Sequence, residues 1–268
     1  VALNGGKAVH YRCASDNGFL PDLEQMENAI TPKTRAIVVI NPNNPSGAVY
    51  DRETLMAIVG LAGRHNLVLL SDEIYDQMVY DGAEFIPMAT LATNCVCLTF
   101  SGLSKIYRAC GYRVGWAVFS GDIDRASQYI HGMELLSALR LCSNVPGQWA
   151  VQTALGGIQS VQPLVEPGGR LYQSRQAVID RTAASDHLHL ERPMGAMYAF
   201  LKLHERFRGI LDDQAFAIEL LENHHVLVAP GSSFNAPYSD HFRITTLPDT
   251  DTIDIVFDRI EECLGQYS

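Results

Sequence analysis

Residues 35–47 read RAIVVINPNNPSG. A short, nearly continuous apolar run stops at Asn41-Pro42 and passes into a tract of Asn, Pro, Ser and Gly. The apolar part predicts a buried, parallel-type strand, because such strands are covered on both faces and do not alternate. The polar part predicts a tight turn at the strand's carboxyl end. Working outward, Asp51 is an N-cap candidate with Thr54 behind it, and Leu55, Ile58, Val59 and Ala62 recur at helical spacing up to about His65. Further strands are predicted at residues 67–70, 96–100 and 114–119. This strand–helix alternation predicts an α/β fold with a mainly parallel sheet.

Beyond Asp122 the pattern changes. Residues 122–184 are expected to be mostly helical, broken around 144–147 and around 163–169. A strand at 196–203, a helix at 212–223, strands near 226–229 and 242–246 and a closing helix from about Thr250 complete the reading. The later part is expected to be a smaller α+β unit, with domains at residues 1–162 and 163–268 and Pro and Gly marking the boundary.

Composition limits the options. At 268 residues the chain can bury a sizeable core, and 47% hydrophobic with 19% charged residues excludes global disorder. The net charge of −10 argues against nucleic acid or an anionic membrane surface as partner. No apolar run approaches the roughly 20 residues that cross a bilayer, and no signal peptide opens the chain, so a cytoplasmic protein is expected. Cys13, Cys95, Cys97, Cys110, Cys142 and Cys263 are irregularly spaced, which predicts free thiols rather than a disulfide framework. His187 and His189 would share one side of a strand, but no third ligand follows nearby, and no metal site is expected. The chain opens Val1-Ala2-Leu3, without Met.

The chemistry concentrates where strands are predicted to end. In open α/β sheets ligands bind outside the carboxyl ends of the strands. Four polar stretches fall there: residues 41–47, Asp72-Glu73-Ile74-Tyr75, Ser101-Gly102-Leu103-Ser104-Lys105, and Arg113 within residues 111–115. Singly, each is an ordinary turn, cap or surface charge. Together they suit pyridoxal 5′-phosphate. A lysine can hold its aldehyde as a Schiff base, and Lys105 is the candidate. Asp72 can keep the ring nitrogen protonated. Asn44 and Tyr75 can donate to the phenolate oxygen. Arg113, Ser101 and Ser104 can donate to the phosphate. A nicotinamide site would want GxGxxG after a strand, and the chain has none.

Residues 41–47 (NPNNPSG), 71–76 (SDEIYD), 101–116 (SGLSKIYRACGYRVGW) and 241–248 (HFRITTLP) resemble the fold-type I pyridoxal-phosphate aminotransferases, in the aspartate-aminotransferase superfamily. Residues 140–157 (RLCSNVPGQWAVQTALGG) and 167–172 (PGGRLY) sharpen the likeness to its bacterial alanine aminotransferase branch. The resemblance runs the length of the chain. It implies a partial large cofactor-binding domain followed by a whole small domain. It assigns Lys105 as the Schiff-base lysine that also shuttles the substrate proton, Asp72 as partner of the ring nitrogen, and Asn44 and Tyr75 as partners of the phenolate oxygen. Arg113 becomes the phosphate arginine, with Ser101 and Ser104 in the phosphate loop. Arg243 becomes the fork that grips the substrate α-carboxylate, with Asn44 beside it. Glu73 and Asp76 receive no chemistry.

The resemblance also implies an N-terminal portion, carrying a Gly-rich phosphate loop and a ring-stacking aromatic, that would precede Val1, and a homodimer. The expected reaction moves an amino group from an L-amino acid, alanine first, to a 2-oxo acid, 2-oxoglutarate first. Aspartate aminotransferase and a carbon–sulfur lyase of the same fold are the enzymatic alternatives. An inactive fragment and a cofactor-binding regulator module are the non-enzymatic ones.

Overall fold

The computed structural model describes residues 1–235 and 239–267. The strands are β1 (Ala36–Ile40), β2 (Val68–Asp72), β3 (Val96–Gly102), β4 (Gly115–Gly121), β5 (Leu188–Leu190), β6 (Tyr198–Leu203), β7 (Ala229–Pro230) and β8 (His241–Thr245). The helices are α1 (Leu23–Asn28), α2 (Arg52–Arg64), α3 (Ser127–Arg140), α4 (Val145–Gly156), α5 (Gln162–Val165), α6 (Arg170–Ala183), α7 (Asp213–His224) and α8 (Thr250–Gly265). They belong to two compact units, one built from residues 30–42 and 49–163, the other from residues 1–29, 43–48 and 164–268.

In the first unit the sheet order is β1-β2-β3-β4, with β1, β2 and β3 parallel. Ile40, Asp72 and Phe100 lie in register across the three parallel strands, so their carboxyl ends form one edge. β4 departs from that pattern by pairing antiparallel with β3, Gly115 opposite Gly102. Its beginning, rather than its end, therefore lies on the same edge. α2 forms as expected: the Asp51 carboxylate accepts from the Thr54 N–H at 2.8 Å, and Leu55, Ile58, Val59 and Ala62 are buried. β1 pairs parallel with β2, as its apolar run predicts. Ile37 and Val39 are buried, but Val38 is 49% exposed on the opposite face, so the strand alternates as a one-sided strand does.

The break expected around residues 144–147 falls at residues 141–144, between the end of α3 and the start of α4. Asn144 caps α4, accepting from the Gly147 N–H at 3.2 Å, and Pro146 sits in the first turn, where its missing N–H costs nothing.

The second unit is an antiparallel sheet of order β5-β6-β8-β7, covered by α6, α7 and α8. Its core is Val178 of α6, Ala199 and Leu201 of β6, Phe216 and Leu220 of α7, Phe242 of β8, and Phe257 and Ile260 of α8. The strand expected over 226–229 narrows to Ala229–Pro230, β5 includes His189 of the His187/His189 pair read as strand, and α1 forms where no element was expected. Neither unit is one run of chain, so packing groups residues differently from a division at 162/163. Buried Phe19 lies 5.7 Å from the Phe200 ring and 6.2 Å from the His241 ring, which ties the opening residues to this sheet. Gly47 holds the turn 43–48 to the same unit. Its carbonyl accepts from the N–H groups of Met194 (2.9 Å) and Gly195 (2.8 Å). Its φ is +73°, and a Cβ there would stand 2.4 Å from Pro193 Cβ, so only glycine fits. Among the described residues no helix is long and apolar enough to cross a membrane.

Candidate active site

Packing places six of the expected site residues in the first unit and two, Asn44 and Arg243, in the second. At the sheet edge, the Asn41 N–H donates to the Asp72 carbonyl (3.1 Å), and the Asn41 side chain accepts from the Tyr50 N–H (2.9 Å). The first polar residue after β1 is thus spent on fixing the edge.

Asp72 ends β2. Its carboxylate accepts from the Ile74 N–H at 3.2 Å and feels the Lys105 ammonium. Burial outweighs both and pushes its pKa above the ordinary carboxylate range. Such a carboxyl is easier to bury protonated, so at neutral pH its charge opposes folding. Asp72→Asn is therefore expected to raise the Tm of the protein free of cofactor at pH above the raised pKa. The advantage should fade as pH falls toward the ordinary carboxylate value, where both chains carry a neutral side chain. Thermal melts from about pH 8 to about pH 5 test this; a variant less stable than the parent at every pH contradicts it.

Glu73, next in the chain, is structural. Buried Oε1 accepts from Ser71 Oγ and from the Met88 N–H, both at 2.9 Å, which ties the strand end to the loop at 88. Tyr75 is buried. Asp76 is pushed up to about 6 by burial, and its Oδ1 has no hydrogen-bond partner. Its charge also reaches the Tyr107 hydroxyl, two residues past Lys105.

Lys105 lies in the turn that follows β3. The Leu103 N–H donates to the Val114 carbonyl (3.0 Å), the Ala109 N–H to the Leu103 carbonyl (3.0 Å), and the Arg108 N–H to the Lys105 carbonyl (2.9 Å). Gly102 lets the turn back onto β4, since a Cβ there would meet the Val114 carbonyl oxygen at 2.9 Å. Arg113 was expected to follow a strand end; it precedes β4 and reaches the common edge because β4 runs the other way. Its φ is +52°, left-handed and uncommon for arginine. Nη1 donates to the Cys110 carbonyl at 2.8 Å and lies 3.5 Å from Ser104 Oγ. Ser101 Oγ is buried with no hydrogen-bond partner. A lone buried hydroxyl, a serine beside an arginine, and a half-buried carboxylate that feels a lysine's charge form a set that fits a phosphorylated aldehyde with a basic ring nitrogen.

In the second unit Arg243 Nη1 donates to Asn44 Oδ1 at 2.8 Å. Its guanidinium carbon lies 4.3 Å from the Tyr198 ring centroid and 4.8 Å from that of Phe234. The two aromatic rings hold the guanidinium by cation–π attraction. Nε is buried and has no hydrogen-bond partner, so the fork keeps a donor for an anion. Tyr198 and Phe234 escaped the sequence reading: Tyr198, at the start of β6, looks like core until its neighbour across the sheet is known, and Phe234, in the turn 231–234 after β7, carries no local signal. Among the described residues no group of His, Cys, Asp and Glu could hold a metal ion.

The fold is α/β, that of the fold-type I transferases. The chain belongs to the aminotransferase class I and II family, whose sequence profile it matches over residues 1–260. It is 46% identical, over its whole length, to the glutamate-pyruvate aminotransferase AlaA of Escherichia coli, covering 66% of that protein. It is 45% identical to the alanine aminotransferase of Mycobacterium tuberculosis, covering 62% of it. A crystal structure of an aminotransferase from Escherichia coli superposes with a TM-score of 0.95 at 45% identity, over 98% of this chain and 65% of that one. The alanine aminotransferase of Pyrococcus furiosus superposes at 0.91 with 33% identity, over 99% of this chain and 66% of that one. The chain thus spans just under two thirds of the length of these relatives.

Proposed function

We propose that the whole protein is a pyridoxal-phosphate-dependent aminotransferase that moves an amino group from an L-amino acid, alanine, to a 2-oxo acid, 2-oxoglutarate. The observation that carries this reading is the sheet edge, where Asp72 and Ser101 lie at paired strand ends, Ser104 and Lys105 follow β3 and Arg113 precedes β4. The choice of alanine rests on the names of relatives above 40% identity, these two among them. Pyridoxal phosphate, when bound, supplies an aldehyde for amine exchange and a ring that withdraws electrons from the substrate Cα.

The chain's own residues would do the rest. Lys105 Nζ holds the aldehyde and moves the proton at the substrate Cα. The Asp72 carboxylate keeps a proton on the ring nitrogen; a cation there also relieves the penalty that burial puts on its charge. The Asn44 amide and the Tyr75 hydroxyl donate to the phenolate oxygen. Arg113, Ser104 and the lone Ser101 hydroxyl donate to the phosphate. Arg243, with Asn44 at Nη1, receives the substrate carboxylate. Residues 1–162 are proposed as part of the large cofactor-carrying domain and residues 163–268 as the small domain. A homodimer follows from the family likeness. The cytoplasm is the proposed compartment, and six cysteines without disulfides support it.

Half-reactions followed by cofactor absorbance in the whole protein test the reading. Alanine is expected to convert the cofactor to its amino form, and 2-oxoglutarate to restore it. Aspartate outpacing alanine would move the assignment to an aspartate aminotransferase. Pyruvate released from cystathionine would move it to a lyase. No conversion with any amino acid would leave a non-catalytic module.

A further inference from the structure

Arg175, on α6, is 1% exposed, the most enclosed large side chain of a charged type in the described residues. Burying a guanidinium is costly unless fixed acceptors receive it. Its Nε donates to the Pro193 carbonyl at 2.5 Å, and Nη2 lies 3.8 Å from Met194 Sδ. Met194 and Gly195 are the two residues whose N–H groups grip the Gly47 carbonyl. Gly47 in turn closes the turn that carries Asn44. Its N–H donates to the Asn43 carbonyl (2.9 Å), the Asn43 N–H to the Ala48 carbonyl (2.8 Å), and Ser46 Oγ to Asn43 Oδ1 (2.8 Å). Asn44 then meets Arg243 at 2.8 Å.

The same helix holds the chain just past Arg243. Arg170 Nη1 donates to the Leu247 carbonyl, and Ser174 Oγ to the Pro248 carbonyl, each at 2.6 Å. One helix therefore anchors the backbone on both sides of the Asn44–Arg243 pair. Polar groups held by fixed neighbours are what set a binding geometry to a fraction of an ångström.

We propose that Arg175 is a positioning residue for the substrate-carboxylate site, acting through the loop 193–195 and the turn 43–48 on Asn44 and Arg243. The proposal rests on the aminotransferase reading. Arg175 touches neither cofactor nor substrate; it sets where Asn44 stands, and so which edge of the Arg243 guanidinium stays open.

Steady-state kinetics of the whole protein with cofactor bound are the test. Arg175→Met, of similar length and apolar, is expected to raise KM for the donor amino acid by at least about tenfold, while kcat and the cofactor absorbance stay close to those of the parent. Arg175→Lys keeps one donor for the Pro193 carbonyl and is expected to fall between the two. In combination with Asn44→Ala, the effect of Arg175→Met should largely vanish, since both act on one contact. A donor KM within about twofold of the parent in Arg175→Met, or full additivity with Asn44→Ala, overturns the proposal. Should Arg175→Met fail to fold, a donor KM for Arg175→Lys equal to the parent's overturns it as well. Arg243→Gln in the same assay separates the two levels. If it leaves donor KM unchanged, the carboxylate site itself is misplaced; if it raises KM while Arg175→Met does not, only the role of Arg175 fails.

Discussion

Lys105→Ala in the whole protein is expected to lower transamination by at least about 10⁴-fold, because both the covalent anchor for the aldehyde and the base at the substrate Cα are lost together. The absorbance band of the lysine-held cofactor should disappear, and borohydride, which fixes the cofactor onto the parent chain, should leave the variant unlabelled. The turn itself should survive the change. It is held by backbone bonds from Leu103 to Val114 and from Ala109 to Leu103, and none of them uses the lysine side chain. Loss of activity without loss of Tm therefore reads as chemistry rather than unfolding. A variant that keeps both the band and the rate would show that the cofactor is held elsewhere.

The second large effect is expected at Arg243. Arg243→Lys keeps a positive charge but removes the planar fork, the bond from Nη1 to Asn44 and the flat surface against Tyr198 and Phe234. Two charge-assisted hydrogen bonds to a carboxylate, at roughly 1.5–3 kcal/mol each, correspond to a loss of about 10²–10⁴-fold in kcat/KM for the donor. Cofactor binding should change far less than donor binding, since of the groups proposed to hold the cofactor only Asn44 lies on the same unit as Arg243. An equal fall with amines that lack a carboxylate would contradict the assignment, because those substrates have nothing for the fork to hold.

Much of this arrangement was legible along the chain. The strand ends announced themselves by an apolar run meeting Asn-Pro, Ser-Asp or Ser-Gly, and α2 begins at the Asp51 cap that the pattern marked. What local pattern could not show was direction. Arg113 reaches the edge from the opposite strand sense, because β4 pairs antiparallel with β3. Nor could it show that Pro146 opens a helix, since proline reads as a breaker until the cap before it is seen. Glu73 and Asp76 looked alike beside the motif, yet one is satisfied by Ser71 and Met88 and the other keeps an oxygen without a partner. Only their burial and neighbours tell them apart.

By itself, the sequence determined the chemistry on offer: a lysine, an aspartate, an asparagine, a tyrosine, two serines and two arginines, each beside a predicted strand or turn. Periodicity and capping are short-range, so they also settled where most helices and strands lie. Tertiary structure decided which of these groups act together. The register of three parallel strands makes Ile40, Asp72 and Phe100 neighbours, though they are far apart in the chain. Antiparallel pairing of β6 with β8 puts Tyr198 beside Arg243. A buried arginine on α6 reaches the loop that holds Gly47. Each of these depends on contacts between distant segments, and no local signal carries them.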